Sequence, residues 1–101
     1  MSKASVVTIA ANQLIFSQGE LGDKAYIIEK GRVLIYLTKD NEDFPLSILG
    51  EGEIFGEMAI IDNQVRSASA KTLDDCSLLV VTKDQLLERV QSADTVVRLL
   101  L

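Results

Sequence analysis

The chain has 101 residues, 48% of them hydrophobic and 25% charged, which suits one soluble globular domain with a single core and leaves no room for two. Its formal net charge of −5 excludes a general nucleic-acid surface, because phosphate-backbone affinity rests on clustered Lys and Arg, and the ten here are scattered. There is no histidine, which removes serine-triad and histidine–metal chemistry in their usual forms.

In chain order, Met1 to Ala11 has neither a basic start nor a continuous apolar stretch, and no apolar run of about 18 residues follows. A cytoplasmic protein without membrane insertion is therefore expected. Short β-type runs then succeed one another: Val6 to Ile9, Gln13 to Phe16, Ala25 to Glu29, Arg32 to Thr38, Leu46 to Leu49, Ser67 to Thr72 and Ser77 to Val81. Turn signals separate them at Gly19 with Gly22-Asp23, Gly31, Lys39 to Asp43, Gly50 with Gly52, and Asp74-Asp75. Strands of this length and spacing predict a mainly β sandwich or barrel. Alternation is clearest where Val33, Ile35 and Leu37 oppose Arg32, Leu34 and Tyr36. The lone cysteine, Cys76, begins a strand-like run and reads as a small core hydrophobe. Asp74 and Asp75 read as a solvated turn.

After Val81 the period changes. Thr82 followed by Gln85 is a capping-box pattern, and Leu86, Leu87 and Val90 then fall at helical spacing. Ser92 to Asp94 interrupts it, and Thr95 to Leu101 reads as the start of a second helix whose uncapped end suggests either a boundary cut through a longer chain or a helix that packs on something else. The expected organisation is one domain over 1–101, with a β-barrel over 1–81 and a C-terminal helical segment over 82–101.

Residues 55–72 carry the chemistry. Gly56 opens a run of helix formers, Glu57 to Ile61, that lasts barely one or two turns before Asp62-Asn63 ends it. So short a helix leaves its first amide N–H groups free, and Gly56 and Ala59 would let an anion approach the backbone closely. Arg66 is the only positive charge between Arg32 and Lys71 apart from Lys39, and its planar fork matches two phosphate oxygens. Ser67 and Ser69 add hydroxyl donors. Glu57, itself an anion, suits a sugar hydroxyl. These parts imply a ligand with one anionic end and one vicinal hydroxyl end. On chemistry alone, a plain Glu57–Arg66 salt bridge between helix and strand accounts for the same residues. A Glu57 and Asp62 acid–base pair is a third reading, with no metal or reactive cysteine beside it.

The order Phe55-Gly56-Glu57-Met58-Ala59-Ile60, a five-residue gap, then Arg66-Ser67-Ala68 resembles the phosphate-binding cassette of the cyclic-nucleotide-binding domain family. That family includes bacterial catabolite activators, regulatory subunits of cyclic-AMP-dependent kinase and nucleotide-gated channels. Gly19 to Gly31 is similar to its first barrel signature, and Ile48 to Phe55 to its lead into the cassette, so the likeness covers roughly residues 8 to 90.

The resemblance implies a double-stranded β-helix, or jelly-roll barrel, with a short phosphate-binding helix and a cassette over 55–69. It implies a binding site at Gly56, Glu57, Met58, Ala59, Arg66, Ser67 and Ala68. Glu57 would accept the ribose 2′-hydroxyl and Arg66 would pair with the exocyclic phosphate oxygens. The N–H groups of Ala59 and Ala68 and the Ser67 hydroxyl would complete the cradle. Ile35, Leu46 and Leu49 would meet the base. Cyclic AMP is the preferred ligand and cyclic GMP the alternative, with no cofactor, metal or catalysis. The segment Thr82 to Leu101 would pass the signal to an effector domain or a protein partner, and a homodimer is compatible with its apolar end. The competing reading keeps the barrel without nucleotide, as a protein–protein interaction module. Direct DNA binding is not expected, because no helix-turn-helix follows the barrel.

Overall fold

The computed structural model describes residues 5–61 and 65–92. Its elements run β1 (Ser5–Ile9), β2 (Leu14–Phe16), β3 (Lys24–Lys30), β4 (Val33–Lys39), β5 (Glu42–Leu49), β6 (Ile54–Phe55), α1 (Glu57–Ile61), β7 (Ser69–Thr72), β8 (Cys76–Thr82) and α2 (Lys83–Ser92). The strands form two antiparallel sheets, ordered β1-β8-β3-β6 and β2-β7-β4-β5. Every step from strand to strand except β4 to β5 passes from one sheet to the other. This winding is the jelly-roll barrel that the cassette resemblance implied.

Both sheets bury one face against the other. Ile28 of β3, Phe55 of β6, and Cys76 and Leu78 of β8 meet Val33 of β4 and Ala70 of β7 in one core. The period-2 pattern of β4 explains its share: Val33 is fully buried and Ile35 packs on the core, while Leu34 pairs across the sheet with Ile48, which is exposed. Cys76 is buried, and its Sγ donates to the carbonyls of Arg32 (3.2 Å) and Asp74 (3.3 Å). Burial pushes the thiol above its ordinary value, so this is a structural cysteine.

Several sequence expectations are corrected at the strand ends. Strand β5 begins at Glu42 rather than Leu46. The stretch Lys39 to Asp43 narrows to a two-residue turn, because Asp40 (φ 54°) and Asn41 (φ 64°) both adopt the left-handed conformation that such hairpins demand. Strand β7 begins at Ser69 rather than Ser67, which leaves Ser67 and Ala68 outside the ladder. The Asp74-Asp75 turn is more than solvated. Asp74 takes a two-pronged contact from Arg32 (2.8 and 3.0 Å), and Asp75 accepts from the Ala11 amide at 2.9 Å.

The capping box at the start of α2 forms in both directions: the Thr82 amide donates to Gln85 Oε1 at 2.9 Å, and the Gln85 amide donates to Thr82 Oγ1 at 3.2 Å. The expected second helix over 95–101 and the Asp62-Asn63 stop lie outside the described residues. Among those residues, no helix is long and apolar enough to cross a membrane.

Candidate functional site

The cassette opens on a turn that needs glycine. Gly56 has φ +83°, and a Cβ there would lie 2.6 Å from Arg66 Nη1. Helix α1 starts at the next residue, which places the Glu57 carboxylate in the first turn, where the helix dipole favours an anion. Ala59 on the same helix is buried.

Arg66 is held from every side. Its amide donates to the Glu20 carbonyl at 2.7 Å and its carbonyl accepts from the Gly19 amide at 2.8 Å, so the loop after β2 clamps its backbone. Val65 bridges Leu21 in that loop. The side chain is only 5% exposed. Its Nη1 donates to the Gly56 carbonyl (2.8 Å), its Nη2 to the Lys24 carbonyl (2.6 Å), and its guanidinium carbon sits 4.0 Å from the centre of the Phe16 ring. Burial lowers the guanidinium below its ordinary value, while Tyr26 and the carboxylates of Asp23, Glu20 and Glu57 oppose that change. Arginine starts so high that it stays a cation.

Around these residues lies a cavity of about 240 Å³. Gly56, Glu57, Met58 and Ala59 line one part, and Arg66, Ser67 and Ala68 another, so every expected cassette residue borders the same space. Ile35 and Leu49 line it too. Leu46 does not. The β4–β5 register passes from Ile35 opposite Ser47 to Tyr36 opposite Pro45, which leaves Leu46 as a bulge residue without a cross-strand partner and 56% exposed. Ser69 is also turned away: it is buried, and its Oγ accepts from the Gln18 amide at 2.8 Å.

Among the described residues the only ion pair is Arg32–Asp74, so the plain Glu57–Arg66 salt bridge is not formed. Instead, Glu57 Oε2 is buried with no hydrogen-bond partner among the described residues. Such an atom costs about 1–3 kcal/mol, and more for a charged group, unless something binds it.

The site contains residues to which the sequence assigned no binding role. Phe16, Ile54 and Phe55 line the cavity, and the Phe16, Tyr26 and Phe55 rings pack together with centroids 5.3–6.2 Å apart. Gly22 is the other. A Cβ on it would lie 2.6 Å from Arg66 Nε and 2.7 Å from Ala59 Cβ, so only glycine lets the loop close over the arginine. Gly22→Ala is expected to destabilise the domain by ~1–3 kcal/mol through overpacking and to weaken ligand uptake with it. Thermal melting and calorimetry of the variant check both, and an unchanged melting temperature would mean that the loop gives way freely.

The family model of the cyclic nucleotide-binding domain matches residues 6–93. This chain belongs to the cyclic nucleotide-binding domain family. Over 78 residues the domain is 37% identical to the cyclic AMP receptor protein of Thermus thermophilus, covering 76% of this chain and 36% of that protein. It is 68% identical to the solved cAMP-bound and cGMP-bound forms of the EAL enzyme Bd1971, with TM-scores of 0.85 and 0.87, covering 95% of this chain and 26% of theirs. The chain thus spans 33–36% of the length of the first three curated relatives it matches.

Proposed function

We propose that this cyclic nucleotide-binding domain is a cytoplasmic sensor that takes up cyclic AMP, also admits cyclic GMP, and catalyses nothing itself. The observation that carries this reading is the orphaned Glu57 Oε2, buried on the same cavity as Arg66. A ribose 2′-hydroxyl is the donor it lacks, and it would sit at one end of a ring whose cyclic phosphate meets Arg66 at the other. The diester carries one negative charge, and one guanidinium with the amides of Ala59 and Ala68 and the Ser67 hydroxyl suffices for it in an acidic chain. Ile35, Leu49 and Ile54 offer the base an aliphatic wall. The 68% identical relative with cAMP-bound and cGMP-bound forms supports a pocket that accepts both bases.

The output is proposed to run through α2. The Lys24 carbonyl that holds Arg66 belongs to a residue paired with Thr82, the cap of that helix, so a pull on the guanidinium reaches the helix start directly. By likeness to the EAL enzyme Bd1971, the effector is the remainder of an enzyme of that kind.

Calorimetric titration with cyclic AMP and cyclic GMP tests the assignment. Saturable heat with both is expected, whereas no heat at millimolar nucleotide would favour the barrel as a protein–protein module. Glu57→Ala should weaken uptake by ~1.5–3 kcal/mol, the worth of a hydrogen bond to a charged group. The free variant should melt close to the parent, because removal of a buried, unsatisfied oxygen offsets the loss of a carboxylate in the first turn of α1 and near Arg66. A lower melting temperature with unchanged affinity would make Glu57 a structural residue.

A further inference from the structure

We infer that Phe16 is the positioning residue for the Arg66 guanidinium, an aromatic seat that aims the cation at the phosphate. The inference rests on the reading that Arg66 receives the phosphate. Phe16 lies fifty residues earlier in the chain, at the end of β2, and was not among the residues that the cassette pattern marks. Its ring nonetheless lies 4.0 Å beneath the guanidinium carbon and borders the same cavity.

The geometry separates two jobs. The Gly56 and Lys24 carbonyls accept from Nη1 and Nη2, which fixes the fork within its own plane. Both bonds lie at the edge of the fork and restrain its tilt only in part. The ring face is placed to restrain it, since the guanidinium carbon sits over the ring at cation–π distance. Phe16 is itself kept from turning by Tyr26 and Phe55, with centroids at 6.2 and 6.0 Å. Two of the fork's N–H groups are thus engaged by the backbone, one face is covered, and the remaining donors of the fork are left for an anion in the cavity. The ring also meets an electrostatic need. Burial penalises the charged guanidinium, and the negative face of an aromatic ring offsets part of that penalty, which an aliphatic side chain of similar bulk does not.

The seat is tested on the full chain with Phe16→Leu, which keeps apolar volume without a π face, Phe16→Tyr, which keeps the face, and Arg66→Gln as reference. Cyclic AMP affinity is read by calorimetry, and the Arg66 Nε–Hε signal by ¹H–¹⁵N NMR without nucleotide. The unliganded wild type should show Hε shifted upfield by the ring current. That shift should persist in Phe16→Tyr and vanish in Phe16→Leu. Affinity should fall about 2- to 30-fold in Phe16→Leu, the range a cation–π contact spans, and recover in Phe16→Tyr. A wild-type Hε at an ordinary position overturns the seat even if Phe16→Leu does not fold. So does a Phe16→Leu that binds as wild type while Arg66→Gln does not, or one that loses affinity with the Hε signal unmoved. If Arg66→Gln itself binds as wild type, the assignment of the phosphate to Arg66 fails instead.

Discussion

Replacing Arg66 by glutamine is expected to weaken cyclic AMP uptake by ~2–5 kcal/mol, or roughly 30- to several-thousand-fold, the usual penalty for deleting one partner of a buried charged pair. The loss is large because, among the described residues that line the cavity, Arg66 is the only cation. The free domain should lose stability too. Arg66 is 5% exposed and satisfies the Gly56 and Lys24 carbonyls, and glutamine is too short to reach both. Arg66→Lys separates the two effects. It keeps the charge but not the fork, so it should retain part of the affinity while lowering the melting temperature nearly as much as Arg66→Gln. Calorimetry and thermal melting of the three proteins decide the matter, and equal nucleotide affinity in all three would remove Arg66 from the site.

The second large effect lies in the core. Leu78 is fully buried at the centre of β8, opposite Ile28 on one side and Val7 on the other. Leu78→Ala should cost ~2–5 kcal/mol, since the transfer free energy of the lost methyl groups is compounded by the cavity they leave. For a domain of this size, about 1 kcal/mol corresponds to roughly 4–8 °C in melting temperature. The variant should therefore melt far below the parent. Leu78 does not line the cavity proposed for the nucleotide, so saturating cyclic AMP should raise the melting temperature of variant and parent alike, by about 2.7 kcal/mol of stabilisation at a hundredfold excess over Kd. A variant that melts low and gains nothing from nucleotide would show that the core and the site are not separable in this way.

What the sequence disclosed about this site, and what it hid, follows from how far apart the parts lie along the chain. The cassette was legible because Gly56, Glu57, Ala59, Arg66, Ser67 and Ala68 stand within one short stretch, and a turn and a short helix can be read locally, although the strand that follows begins two residues later than expected. The alternation likewise revealed Val33 and Ile35 on the inner face of β4, while Leu37 is not among the residues packed on the core. Leu46, which the family resemblance suggested for the base, does not line the cavity because it is the unpaired residue of a bulge, and nothing in the residues Pro45-Leu46-Ser47 states which of them lacks a partner. Phe16, Gly22 and Lys24 were missed for a different reason. Each meets Arg66 only because the chain crosses between sheets, and neither propensity nor periodicity reports contacts made over some forty or fifty residues. Gly22 was readable as a turn but not as a glycine forced by the arginine packed against it. The orphaned Glu57 oxygen is likewise a property of the folded molecule alone.

The most direct measurement is a crystal structure of the domain grown with cyclic AMP. The account predicts a nucleotide in the cavity between α1 and the Arg66 to Ala68 segment, with its exocyclic phosphate oxygens within hydrogen-bond distance of the Arg66 guanidinium and its ribose hydroxyl on the oxygen of Glu57 that is unpartnered in the free domain. A nucleotide bound elsewhere, or one seated in the cavity with Glu57 still unpartnered and Arg66 touching only the backbone, would contradict it.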